Sequence, residues 1–332
     1  MDVALDGQTL AHIMHLALLS NHFSNSAHPT HPGIIILSTA TSVHQYLCIM
    51  KLSTAFDPLS QNAATALEEI LSVMVQKEQT MNKSFDYIVG VPKTKTVVTV
   101  TDRTKLVDWC YSVIDKCEFE RETVAIAMKL VDHILSKPSD LSLEVLQDRG
   151  QFQLLTMTAL YVAIKIYETT AVLGSNFFSA ISQDLYSVSE IEAMELNLLK
   201  GLSWCITPPT VVQMSHHILS WISVHVAVQR PTWAVMLEEV AYQAEHSVRD
   251  FYFVSHRPST VAIAAIFNAL SNANQVESRD ILFALTSFIM KHDELDSIEI
   301  ILDTKARLLS LAYGHELWSN HHQIAGIGLD GS

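Results

Sequence analysis

Four charged residues at or beside apolar helical stretches are the candidates for chemistry in this chain, and two of them can be paired from the sequence. That pair centres on Asp132, within RETVAIAMKLVDHILSK (residues 121–137). Val124, Ala127, Met128, Val131 and Leu135 recur at helical spacing and mark one buried stripe. A carboxylate among Leu, Val and Ile needs a partner, because an unpaired buried charge is very costly. Arg103 opens the preceding helical segment, TDRTKLVDWCYSVIDKC. If the two segments fold back through the short CEFER turn, Arg103 comes within about one helical turn of Asp132. The two can then meet as a bidentate pair, which is a structural staple and not a catalytic device. The alternative is two unrelated surface charges. The other two charged residues are Lys165 and Glu195, which the spacing does not link. Lys165 sits near the end of QFQLLTMTALYVAIKIYE, and its ammonium must reach solvent or a partner. Glu195 lies in MELNLLKGL. Taken alone, these two read as a snorkelling lysine and an ordinary exposed glutamate.

The motifs of enzymes are missing. No GxSxG, HExxH or Walker loop occurs. Residues 326–331, GIGLDG, match GxGxxG, but they lie at the end of the sequence, where no following helix is expected to present them to a phosphate. The pairs His28 and His31, His216 and His217, and His321 and His322 have no Cys or carboxylate at zinc-site spacing. The carboxylates are scattered, with no argued pair for acid–base work. Four cysteines (Cys48, Cys110, Cys117 and Cys205) form no CxxC and no disulfide framework, which points to a reducing compartment. The expectation is a protein that is not an enzyme, with no catalytic residue, no cofactor and no metal.

The elements that must position these residues are helical. The 332 residues suffice for about two domains, and a composition of 49% hydrophobic against 17% charged residues supports a sizeable core. A net charge of −14 disfavours nucleic acid as a partner, since sequence-independent binding needs a basic face. Residues 1–57 read as a poorly ordered N-terminal region. They carry no Lys or Arg before Lys51, which does not suit a signal peptide, and residues 33–52 are too polar for a membrane span. From Ser60, a candidate N-cap, an apolar stripe of Leu67, Ile70, Leu71 and Met74 marks a helix. Residues 89–101 read as an extended connector. Helices are expected over 101–117, 121–137, 151–168 (apolar nearly all round, hence central), 176–185 and 188–203, the last with Ser189 and Glu192 as a capping box. Five more follow, over 208–226, 231–253, 257–274, 277–292 and 297–313, and residues 257–270 have the composition of a second central helix. The fold class is all-α, two tandem five-helix bundles with a preceding N-terminal helix. The domains are 58–205 (with that helix), 206–313 and a frayed tail at 314–332.

RTKLVDW followed by RETVAIAMKLVDHILS resembles the first two helices of a cyclin box, and the likeness extends over roughly residues 59–312. Arg103, Leu106, Asp108, Trp109 and Asp132 stand where the cyclin pattern wants them, and Leu154 matches a family core position. The layout resembles A/B-type cyclins. The wording of RETV, DWCYSV and QKEQT is more similar to the expanded cyclins of diatoms and related algae than to animal ones.

The resemblance implies a regulatory, non-catalytic subunit that binds and activates a cyclin-dependent protein kinase as a heterodimer and controls cell-cycle progression. It also implies that Lys165 and Glu195 hydrogen-bond the kinase backbone near its movable regulatory helix. A lysine brings three donors and a carboxylate only acceptors, so the two together grip amides and carbonyls. Ile166, Leu199 and Ile206 would add the apolar contact. The family's substrate-docking surface is altered here. Leu106, Trp109 and Gln153 survive, but Asp102 and Lys105 replace apolar residues. Ile164 and Tyr167 also depart from the usual pattern around the lysine. The expected location is the nucleus, the cytoplasm or both, with no membrane partner. Alternatives are a cyclin-fold transcription-associated protein on DNA, which predicts a basic face, and a helical scaffold for another partner.

Overall fold

A computed structural model describes residues 58–80, 84–88, 97–168, 173–227, 229–270 and 275–325. The readings made for residues 1–57, for the connector at 89–96 and for the glycine motif at 326–331 lie outside the described residues. Among the described residues every regular element is helical. In chain order they are α1 (Pro58–Thr80), α2 (Val100–Cys117), α3 (Glu122–Ser136), α4 (Asp140–Gln147), α5 (Arg149–Tyr167), α6 (Ser175–Ile181), α7 (Val188–Gly201), α8 (Val211–His225), α9 (Arg230–Arg249), α10 (Pro258–Ala269), α11 (Gln275–Lys291) and α12 (Ile298–Ala325).

The chain divides into two compact units, one of which holds α2 to α7 within Tyr87–Ile206. Its axis is α5, which packs against α2, α3, α4, α6 and α7. From Phe152 to Ile164 nearly every α5 residue is buried, as its all-round apolar composition requires. Asp148 caps the helix by accepting from the Gly150 amide at 2.7 Å. The short helix α4 was not anticipated. Ser139 and Ser142 form its capping box, and eight residues are too few to show a periodic stripe in sequence. The capping box of α7 is Ser187 with Glu190, not Ser189 with Glu192, so the helix starts one residue after Ser187 and buries Ile191, Met194 and Leu198.

The second unit holds α8 to α12, and α1 belongs with it. The sequence reading placed α1 with the first bundle. The physical reason for the difference is its buried face: Leu71 and Val75 enter the core formed by Met214, Ile218, Trp221, Ile263 and Phe288. Its start also differs, at Pro58 in place of Ser60. Proline suits a first helical turn, where the amide it lacks would be unpaired. Within this unit α10 is central and buried along its length, flanked by α8, α9 and α12. The predicted helix over 231–253 breaks at Asp250, whose carboxylate accepts from the Tyr252 amide at 3.0 Å and opens a 3₁₀ turn, Phe251–Ser255. At the C-terminal end α12 runs on to Ala325, well past the point at which a frayed tail was expected.

Candidate functional site

The antiparallel pair α2 and α3 sets the frame. Thr99 and Asp102 form a reciprocal capping box at the start of α2, and Arg149 Nε donates to the same Asp102 carboxylate at 3.1 Å. One turn in, Arg103 is buried and donates from Nε to Asp132 Oδ1 at 3.0 Å and from its terminal nitrogen to Oδ2 at 2.8 Å. The Tyr87 hydroxyl donates to Asp132 Oδ1 at 2.7 Å. Burial would lower the Arg103 pKa, but the Asp132 charge outweighs it and holds the guanidinium above its ordinary value. Burial likewise pushes the Tyr87 phenol well up, with the Asp132 charge adding to it. Tyr87 was not singled out in the sequence. It lies in a non-helical stretch, where no periodicity points to it.

The α5 helix then delivers Lys165 to the surface. Its neighbour Ile164 is buried, while the lysine side chain is 44% exposed. The stripe that buries α7 leaves Glu195 at its edge. Lys165 Nζ meets Glu195 Oε1 at 2.6 Å, and it also lies 4.7 Å from the centre of the Tyr161 ring. Burial works to lower the Lys165 pKa, but the Glu195 hydrogen bond and charge outweigh it, so the ammonium is held above its ordinary value. Beyond it, Glu168 accepts from the Thr123 hydroxyl at 2.6 Å and the Glu120 amide at 3.1 Å, which fixes the end of α5 to the start of α3.

Ile166, Leu199 and Ile206 are each half-buried, whereas Leu154 is buried. Leu106, Trp109 and Gln153 are half-buried, and Gln153 accepts weakly from the Tyr186 hydroxyl at 3.4 Å. Trp204 escaped the sequence reading. It is 63% exposed, and its amide donates to the Leu199 carbonyl at 2.9 Å, which ties it to the end of α7. Ser203 and Trp204 both have positive φ, at 52° and 63°, a conformation that bulky residues seldom adopt. Among the described residues no group of three His, Cys, Asp or Glu could hold a metal, and no helix is long and apolar enough to cross a membrane.

An Arg–Asp staple behind a central apolar helix, with a Lys–Glu pair at the surface, calls for comparison with known proteins. Residues 69–207 match the model of the cyclin N-terminal domain. The chain carries a cyclin N-terminal domain. Among curated cyclins, Cyclin-A1 of Xenopus laevis is 33% identical over 195 residues, 58% of this chain and 43% of that one. The G2/mitotic-specific cyclin-A1 of Caenorhabditis elegans is 31% identical over 163 residues, 49% of this chain and 30% of that one. Cyclin-B1-1 of rice (Oryza sativa subsp. japonica) is 28% identical over 235 residues, 68% and 48% respectively. The chain thus spans less than half the length of these relatives. A viral cyclin from Herpesvirus saimiri, known from an X-ray structure, superposes with a TM-score of 0.51 at 15% identity, over 75% of this chain and 98% of the viral one. That likeness concerns the fold.

Proposed function

We propose that this chain is the non-catalytic, regulatory subunit of a cyclin-dependent protein kinase and promotes cell-cycle progression by activating it, in the nucleus, the cytoplasm or both. The observation that carries the reading is the 2.6 Å contact between Lys165 Nζ and Glu195 Oε1 on the surface of the first unit. A single contact to Glu195 uses one of the ammonium's three protons, and the carboxylate keeps further lone pairs. The pair can therefore donate to a kinase carbonyl and accept from a kinase amide without coming apart. Ile166, Leu199 and Ile206, all half-buried, supply apolar area beside it, and exposed Trp204 adds an aromatic anchor of the type that dominates protein interfaces. Activation requires that this surface bind the active arrangement of the kinase's movable helix more tightly than the inactive one.

Affinity purification of the chain from its own cells tests the reading. The wild type is expected to retain a cyclin-dependent kinase. Lys165→Ala combined with Glu195→Ala is expected to lose it while the thermal midpoint stays nearly unchanged, because both side chains stand at the surface. Kinase retained by the double variant at wild-type level would refute the role given to the pair.

A further inference from the structure

The second unit contains a cleft of about 600 Å³ that the kinase reading leaves unused. Its lining includes four carboxylates (Glu78, Asp296, Glu299 and Asp303) against one guanidinium, Arg257. Two of the four are already satisfied. Glu78 is buried and caps the start of α10, accepting from the Ser259 amide at 3.0 Å and from its hydroxyl. Asp296 accepts from the Thr260 hydroxyl at 2.6 Å and lies 3.4 Å from Arg257 Nε. Arg257 is itself held, because it also donates to the Glu294 carbonyl at 2.7 Å. Arg307, on the same helix as Glu299 and Asp303, is occupied by Asp250 at 2.6 Å. Asp303 accepts from the Tyr252 hydroxyl at 2.5 Å, a neutral donor that leaves its charge uncancelled.

Glu299 and Asp303 therefore stand one turn apart on one face of α12, both exposed. Like charges at that spacing repel. A second observation points the same way. Ser84 lines the cleft and is only 4% exposed, yet its hydroxyl has no hydrogen-bond partner among the described residues. A buried hydroxyl left unpaired costs stability, and it turns about a single bond to meet a donor. Half-exposed Ile300 and the Pro258 ring give the same cleft an apolar wall.

From this arrangement we infer that the cleft is a docking site for an arginine-bearing peptide segment of a partner protein. Its guanidinium would lie between Glu299 and Asp303 and donate to Ser84, with the aliphatic stem against Ile300 and Pro258. A divalent cation fits poorly, since these carboxylates do not converge as a metal-binding group. A planar fork with five donors matches divergent acceptors better than a point charge does. The site lies wholly within the second unit and does not depend on the kinase reading.

Fluorescence anisotropy with the full chain and a labelled peptide, Ala-Arg-Ala-Ala-Arg-Ala, tests the inference without any kinase present. The wild type is expected to bind saturably and to ignore the same peptide with citrulline in place of arginine. Glu299→Lys is expected to weaken binding about ten-fold or more, because it sets a like charge against the guanidinium. Glu299→Gln should weaken it less, and Ser84→Ala about three-fold through the lost hydroxyl. Glu144→Lys changes the net charge equally but sits on α4 in the other unit, and it should leave binding within about two-fold of wild type. Equal losses for Glu144→Lys and Glu299→Lys would reduce the effect to the general attraction of an acidic protein and overturn the inference. So would citrulline binding as tightly as arginine, unchanged binding by Ser84→Ala, or no saturable binding by the wild type.

Discussion

A guanidinium and a carboxylate that are 2% and 3% exposed depend on each other for their charge. Removing either partner of the Arg103–Asp132 pair leaves the other buried and unpaired, so Arg103→Met or Asp132→Leu alone is expected to cost about 3–5 kcal/mol in urea unfolding. The double variant is expected to lose less than either single one, since no lone charge remains. Strictly additive losses would contradict this account. Tyr87→Phe removes one hydrogen bond to the same carboxylate and should cost about 1 kcal/mol. The meeting of Arg103 and Asp132 was legible because two periodic segments and a short turn leave little freedom of register. The closeness of Lys165 and Glu195 was not legible from spacing, since 30 residues and other helices intervene, and only the family resemblance singled them out. Trp204 was invisible because nothing in its neighbours announces a left-handed backbone.

At the scale of an element, α7 shows how a helix end is chosen by what it touches. Gly201 closes the helix, and sequence logic treats it as a weak point, worth about 1 kcal/mol of propensity relative to alanine. The structure gives the reason for it. A Cβ at this position would lie 2.2 Å from Ile134 Cδ1 on α3, and Ile134 is buried. Gly201→Ala is therefore expected to destabilise by about 1–2 kcal/mol despite the better propensity, because overpacking a closed interface outweighs it. Ile134→Val deletes the clashing methyl group, so Gly201→Ala in that background should be neutral or stabilising by thermal melting. A penalty that persists in the double variant would place the cost elsewhere. At the other end of α7, Ser187→Ala should cost about 1 kcal/mol through the lost cap, whereas Ser189→Ala should cost little. Two serines two residues apart are equivalent to a sequence reading, and the choice is made by which register turns Ile191 and Met194 inward. Helix α4 was missed for a related reason, since a single pair of turns carries no period to read.

For the whole molecule, the all-helical plan was legible because two segments, now α5 and α10, are apolar nearly all round and only a surrounding bundle can bury them. The membership of α1 was not legible, since an amphipathic stripe states that a helix is buried but not against which unit. Placing α8 in the interior has a consequence for the acid stability of the second unit. Burial pushes the His216 pKa down to about 4, with the neighbouring His217 adding to it, and burial lowers His217 as well. An unfolded chain would protonate His216 near its ordinary value of about 6.5. Between these two values the unfolded state binds more protons than the folded one, so stability is complete above about pH 6.5 and falls as the pH drops toward 4. The loss attributable to His216 approaches about 3 kcal/mol at the lower end. The carboxylates respond in a lower window; Glu68, for example, is held below its usual range by its hydrogen bond from Lys291. The thermal midpoint of the wild type should therefore begin to fall well before the carboxylates titrate, and His216→Leu should flatten the upper part of that fall. Parallel profiles for the two proteins between pH 6.5 and 5 would show that the buried imidazole does not set the acid limit.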